Sequence, residues 1–136
     1  MATSKPLSKW KESDLFKWLS VNYYKLLVDT SKGYSKSDCY DIATKHRIEL
    51  KCRAKHYDDL IIEKNKYKYL VDVSKKYGDI PIYINSTPKG IYLFKLNNIE
   101  FKWFQKSLPK TTDFKNKKKI KKEISKININ QSIKIK

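Results

Sequence analysis

The chain has 136 residues, of which 40% are hydrophobic and 33% charged, with 31 lysines and arginines against 14 acidic residues and a formal charge of +17. That length builds one small domain, and the apolar content sets the chain apart from disordered sequences of similar charge. So large a positive charge excludes basic partners and points to a polyanion, with nucleic acid ahead of a membrane surface because no lipidation motif is present.

Met1 to Ser8 is polar, and no apolar run approaches the roughly 18 residues of a membrane span. The expectation is a cytoplasmic protein without a membrane partner. The abundance of Lys, Ile and Asn is that of AT-rich coding sequence, which fits a bacterial or phage-infected cell or a mobile element. Cys39 and Cys52 are the two cysteines, with no CxxC, as suits half-buried thiols in a reducing compartment. Cys39, His46, Cys52 and His56 have spacings that fit no common zinc finger.

Helical spacing of Leu15, Phe16, Leu19, Tyr23, Leu26 and Leu27 predicts a first helix from Ser8 or Lys9 to Asp29. Glu12 lies on the same inward-looking face. It is either a first-turn acid favoured by the helix dipole or an extra carboxylate at a site. Thr30 to Ser37, with Gly33, reads as a polar loop, and Lys32, Ser35 and Lys36 on it are candidates for contact with a phosphate backbone.

Tyr40 to Ala43 is a short extended run, and Lys45-His46 a tight connection. From Arg47 to Arg53 the sequence alternates strictly: Ile48, Leu50 and Cys52 point one way, and Arg47, Glu49, Lys51 and Arg53 the other. A hairpin of these two runs places Asp41 near Glu49 on one face, with Lys51 beside them. Two readings stay open: a solvated strand face, or a divalent-cation site. Glu100-Phe-Lys102 repeats the Glu-x-Lys spacing with no acidic partner, so the tripeptide alone decides nothing. In the second reading Asp41 and Glu49 supply the one or two carboxylates that Mg²⁺ usually takes, with the Leu50 carbonyl a third ligand. Lys51 would sit beside the attacking water.

Ala54 to Leu60 reads as a polar connection, followed by Ile61-Ile62 and a second helix from about Glu63 to Tyr77. Tyr67, Leu70, Val73 and Tyr77 form its apolar stripe and Gly78 stops it. Most of its lysines form a solvated face, but Lys66, four residues before Leu70, sits where it could overhang the site. Two strands follow, Ile80–Asn85 and Ile91–Leu96, joined by a Ser-Thr-Pro-Lys-Gly turn. Pro81 disfavours a central place for its end of the strand. This order of helix, strands, helix, strands suits a mixed α/β sheet flanked by helices.

Residues 1–105 read as that core and 106–136 as a lysine-rich C-terminal extension. The extension holds 11 lysines against Asp113 and Glu123. Lys117, Lys118, Lys119, Lys121 and Lys122 form its densest run, suited to phosphates without sequence readout and with steep salt dependence. Ile120, Ile124 and Ile127 allow a helix over about 116–127; a disordered arm is the other reading. The ten tyrosines and three tryptophans could stack on unpaired bases, although most sit at core spacing.

Asp41 followed by Glu49-Leu-Lys51-Cys-Arg53 resembles the core motif of the PD-(D/E)XK nuclease superfamily. Glu-x-Lys-x-Arg is similar to the motif of archaeal-type Holliday junction resolvases and of small phage or homing endonucleases. The resemblance covers roughly Lys11 to Leu96 in element order, and it departs from the family pattern in having Tyr40 where proline precedes the Asp. It implies a restriction-endonuclease-like fold and an endonuclease that hydrolyses DNA phosphodiesters with Mg²⁺, Mn²⁺ being able to substitute. Asp41 and Glu49 would hold the metal, with Glu12 of the first helix adding a contact. Lys51 would assist the water, Arg53 and Lys66 would face the phosphate, and the protein would act as a homodimer. A non-catalytic basic protein that packages or bridges nucleic acid explains the charge equally well.

Overall fold

The computed structural model describes residues 5–31, 37–109 and 119–136, and of Pro109 and Lys119 the backbone alone. The strand from Ile80 to Thr87, β5, is buried along seven of its eight residues, as a strand covered on both faces must be. The remaining elements are arranged about it.

A 3₁₀ turn at Leu7–Lys9 leads to α1 (Glu12–Asn22). Asp14 accepts the Lys11 backbone N–H at 2.9 Å, which satisfies one donor at the helix start. The helix is much shorter than its apolar spacing suggested. Asp41 takes the Leu26 N–H at 3.0 Å, and β1 (Leu27–Asp29) then pairs antiparallel with β2 (Cys39–Asp41). After a turn at residues 42–45, β3 (His46–Cys52) pairs antiparallel with β2 and parallel with β5. Next come β4 (Asp59–Glu63), α2 (Lys64–Tyr77), β5 itself and β6 (Gly90–Lys95). α2 ends at Gly78, whose φ of 70° is the left-handed conformation that glycine adopts without penalty.

The main sheet has six strands in the order β1-β2-β3-β5-β6-β9, β9 being Ile133–Lys134. Its two faces carry separate apolar clusters. One holds Leu15 and Leu19 of α1 with Ile48, Leu50, Ile82 and Ile84. The other holds Leu70 of α2 with Leu60, Ile62, Tyr83, Phe94 and Ile127. Alternation along the strands produces this split, since successive side chains face opposite sides. β5 is a central strand, but Pro81's own end of it is paired on the β3 side alone, as its ring requires. Pro81 precedes the β5–β6 ladder, which begins at Ile82, so its missing N–H breaks no bond of that ladder.

The C-terminal segment also differs from the expected extension. β7 (Phe104–Pro109) and β8 (Lys119–Asn128) pair antiparallel, and β8 pairs in turn with β4 to form a three-stranded sheet. The i, i+4, i+7 isoleucines permit a helix, but β-branched residues also favour strands, and β4 and β7 supply hydrogen-bonding partners on both sides. Ile124 and Ile127 are fully buried, so the boundary drawn at residue 105 falls inside a sheet. Among the described residues no helix is long and apolar enough to cross a membrane.

Candidate active site

The β2–β3 hairpin sets the positions of the acidic residues, and it moves one of them away from where the alternation placed it. Asp41 lies opposite His46, and Cys39 opposite Ile48. The connection is the four-residue turn 42–45, with Lys45 at φ 60°, and not the Lys45-His46 dipeptide. Asp41 closes that turn. Its Oδ2 accepts the Thr44 N–H at 2.9 Å and the Thr44 hydroxyl at 2.7 Å, while Oδ1 accepts the Leu26 N–H. Asp41 is fully buried with both oxygens engaged, so the expected place beside Glu49 belongs to another residue.

That residue is Asp38, which the sequence reading did not select. Its N–H donates to the Ile48 carbonyl at 3.0 Å, and its Oδ2 accepts the Leu50 N–H at 2.8 Å. One register step beyond the Cys39–Ile48 pair, it stands beside Glu49. Burial, followed by hydrogen bonding to Asp38 and the charge of Asp38, pushes the Glu49 carboxyl well above the ordinary carboxylate range, with Lys66 pulling the other way. The signal for Asp38 was the spacing Asp41-x-x-Thr44, in which an acid three residues before a Thr caps its own turn and is thereby occupied.

Glu12 opens α1 and shares with Asp38 the lining of a cavity of about 260 Å³, to which Phe16, Asp29 and Leu50 also contribute. Partial burial, then the charge of Asp38, raises its pKa, while Lys51 and Lys66 lower it. A second cavity of about 450 Å³ touches Glu49, Asn65, Lys66, Tyr69 and Leu70. The carboxyl pair therefore lies between two recesses, one beside each helix.

Lys51 is half-buried on the face of β3 that it shares with Glu49. Burial, then the charges of Lys66 and Arg53, lowers its pKa, and Glu63 and Glu12 oppose that shift. Lys66 stands over the site from the first turn of α2, its Nζ 3.9 Å from Glu49 Oε1 and 4.0 Å from Glu63 Oε2. Leu50 is buried and lends its N–H to Asp38.

Arg53 departs from expectation. Its Nε donates to Asn85 Oδ1 at 2.7 Å, and its Nη2 to the Ile61 carbonyl at 2.7 Å and to the Tyr83 hydroxyl at 3.2 Å. The guanidinium ties β3 to β5 and β4 instead of facing outward to a phosphate. In the basic run, Lys122 Nζ lies 2.8 Å from Glu63 Oε1 and Lys121 is exposed. Lys32, Lys36, Lys117 and Lys118 lie outside the described residues, as does the side chain of Lys119.

Among the described residues no group of three or more His, Cys, Asp and Glu is close enough to hold a metal ion unaided. The chemistry available is that of a two-carboxyl pair, Asp38 and Glu49. One or two carboxylates, completed by waters and substrate phosphate, are what Mg²⁺ usually takes, so the donor set fits that ion.

No protein-family model and no curated protein matches the sequence. Among solved structures the chain is similar to Hjc, a Holliday junction resolvase from the archaeal hyperthermophile Archaeoglobus fulgidus. The TM-score is 0.60 at 17% identity, over 91% of this chain and 88% of that one. At that identity the likeness is one of fold, and the fold is the restriction-endonuclease-like mixed sheet that the motif led us to expect.

Proposed function

We propose that the chain is a Mg²⁺-dependent DNA endonuclease that cuts branched DNA of the four-way-junction kind, with Mn²⁺ able to replace Mg²⁺. The observation that carries this reading is the Asp38–Glu49 carboxyl pair, set beside Lys51 on β3 of a resolvase-like sheet. Asp38 takes the metal-ligand role first assigned to Asp41, with Ser37 standing before it where the family motif has proline. Asp38 and Glu49 would hold the cation, with the Leu50 carbonyl and Glu12 as further contacts. A bound Mg²⁺ supplies Lewis-acid polarisation of the phosphate and eases ionisation of water.

The remaining work falls to the protein's own groups. Glu49, whose pKa burial raises, would have to be ionised to ligate beside Asp38. Lys51, its pKa lowered by burial, orients the attacking water and offsets charge developing on the phosphate. Lys66 is close enough to Glu49 to hold the DNA backbone beside the phosphate being cut. The +17 charge favours association with the DNA backbone whatever its sequence. A homodimer with two symmetry-related sites would allow paired cuts in opposite strands. Such a protein would work in the cytoplasm, where its DNA is.

The test is cleavage of four-way junction, linear duplex and supercoiled plasmid in Mg²⁺ and in EDTA, by wild type and by Asp38→Asn, Glu49→Ala and Lys51→Ala. Each substitution should lower cutting by at least about 100-fold, the scale of removing one group that stabilises the transition state, while DNA binding persists. The junction should be the preferred substrate. Tight, salt-sensitive binding with no cutting of any substrate would make the chain a non-catalytic basic protein on a nuclease-like sheet.

A further inference from the structure

The C-terminal strand β8 meets the candidate active site through one carboxylate. Glu63 is the last residue of β4 and the residue before α2, yet its side chain does not cap that helix. Its two oxygens are turned to lysines of two other elements. Oε1 lies 2.8 Å from Lys122 Nζ on β8, and Oε2 lies 4.0 Å from Lys66 Nζ on α2. Lys66 in turn lies 3.9 Å from Glu49 Oε1, and Lys51 adds a third positive charge acting on Glu63. Burial works against the ionised form of Glu63, but the Lys122 contact and the three lysine charges hold its carboxyl below the ordinary value.

Three ammonium groups, from β3, α2 and β8, thus act on one anion. The cluster is not sealed: the side chains of Lys66, Glu63 and Lys122 are 55%, 27% and 23% exposed. A carboxylate bridging two ammoniums presents its pair of oxygens much as a phosphodiester presents its two non-bridging oxygens, and ammoniums bind either as point charges. We propose that Glu63 stands in for a DNA backbone phosphate: on binding, a phosphate next to the one being cut docks between Lys66 and Lys122 and displaces the Glu63 carboxylate. β8 then helps to position the strand at the candidate site. The inference rests on the nuclease reading for which phosphate is meant, but its binding step does not depend on cleavage.

The experiment is junction binding in EDTA across a salt series, so loss of cutting leaves it interpretable. Glu63→Gln is compared with Glu123→Gln, which removes the same charge from the neighbouring strand, where Glu123 pairs with Lys64 at 2.7 Å. Glu63→Gln should tighten binding by about threefold to tenfold at low salt, the scale of one phosphate contact freed from competition, and Glu123→Gln by clearly less. Adding Lys122→Ala should abolish the gain. Lys122→Ala alone should lower the slope of log affinity against log salt by about 0.9, the value for one phosphate. Equal tightening by the two Gln variants, or a gain that survives Lys122→Ala, overturns the proposal. Should Glu63→Gln fail to fold, as judged by circular dichroism, the Lys122→Ala slope decides alone, and an unchanged slope overturns it.

Discussion

Three residues separate Asp38 from Asp41, and hydrogen bonding gives them opposite uses. Asp41 is fully buried and accepts two backbone N–H groups and a hydroxyl. Asp38 gives one oxygen to Leu50 and stands beside Glu49. Asp41→Ala should therefore cost about 2–4 kcal/mol in urea unfolding, because buried donors lose their partners. Asp38→Asn keeps an oxygen for the Leu50 N–H, so it should change stability by only about 1 kcal/mol, while removing cleavage. Glu49, Lys51 and Lys66 were legible from alternation and helical spacing, whereas the choice between the two aspartates depended on turn length. A two-residue connection and a four-residue one place different residues opposite Glu49, and Ile-Ala-Thr-Lys has no Gly or Asn to mark the turn. His46 adds a pH dependence at the same scale. Its Nδ1 lies 2.8 Å from the Tyr24 hydroxyl, and burial, then the Lys95 charge, lowers its pKa below 6.5 while Asp41 opposes the shift. The unfolded chain therefore binds the proton more readily, so stability is full above about pH 6.5 and falls as the pH drops from there through the folded value. Because the raised pKa of Glu49 acts in the opposite sense over the same range, the fall is read as the difference between pH series of urea midpoints for wild type and His46→Gln, wild type losing its margin over the variant as the pH drops.

Elements were read best where one periodicity had no competitor. α2 matches its bounds and its glycine stop and turns Leu70 inward, although Tyr77 of the expected stripe is exposed, and β5 and β6 match their apolar runs. The two misread elements obey both periods. Leu26 and Leu27 continue the spacing of α1, but Asp41 captures the Leu26 N–H and the chain turns into β1. Ile120, Ile124 and Ile127 suit a helix equally, and only the distant partner strands β4 and β7 settle them as β8. No local window of sequence contains those partners. Because Ile127 is fully buried in the cluster beneath α2, Ile127→Ala should cost about 2–5 kcal/mol of unfolding free energy, the range for emptying a buried aliphatic position. A dispensable tail would show no change in the urea midpoint, so this measurement separates the two descriptions directly.

For the molecule as a whole, the +17 charge and the mixed sheet were both plain in the sequence, because composition and element order are global properties. The layering was less so. One core was expected, and the main sheet instead carries an apolar cluster on each face, the second of them closed partly by β8. Asn128 of that strand donates to Asp59 of β4 at 2.9 Å across 69 residues of sequence, and the ladder they begin ends at the Glu63–Ile124 pair. Contacts of such separation form late, since loop closure must precede the gain from pairing. During synthesis β4 therefore waits, with neither edge paired, until a strand made far behind it arrives. Until then Glu63 lacks Lys122, and the link between β8 and the lysines around that carboxylate is unmade.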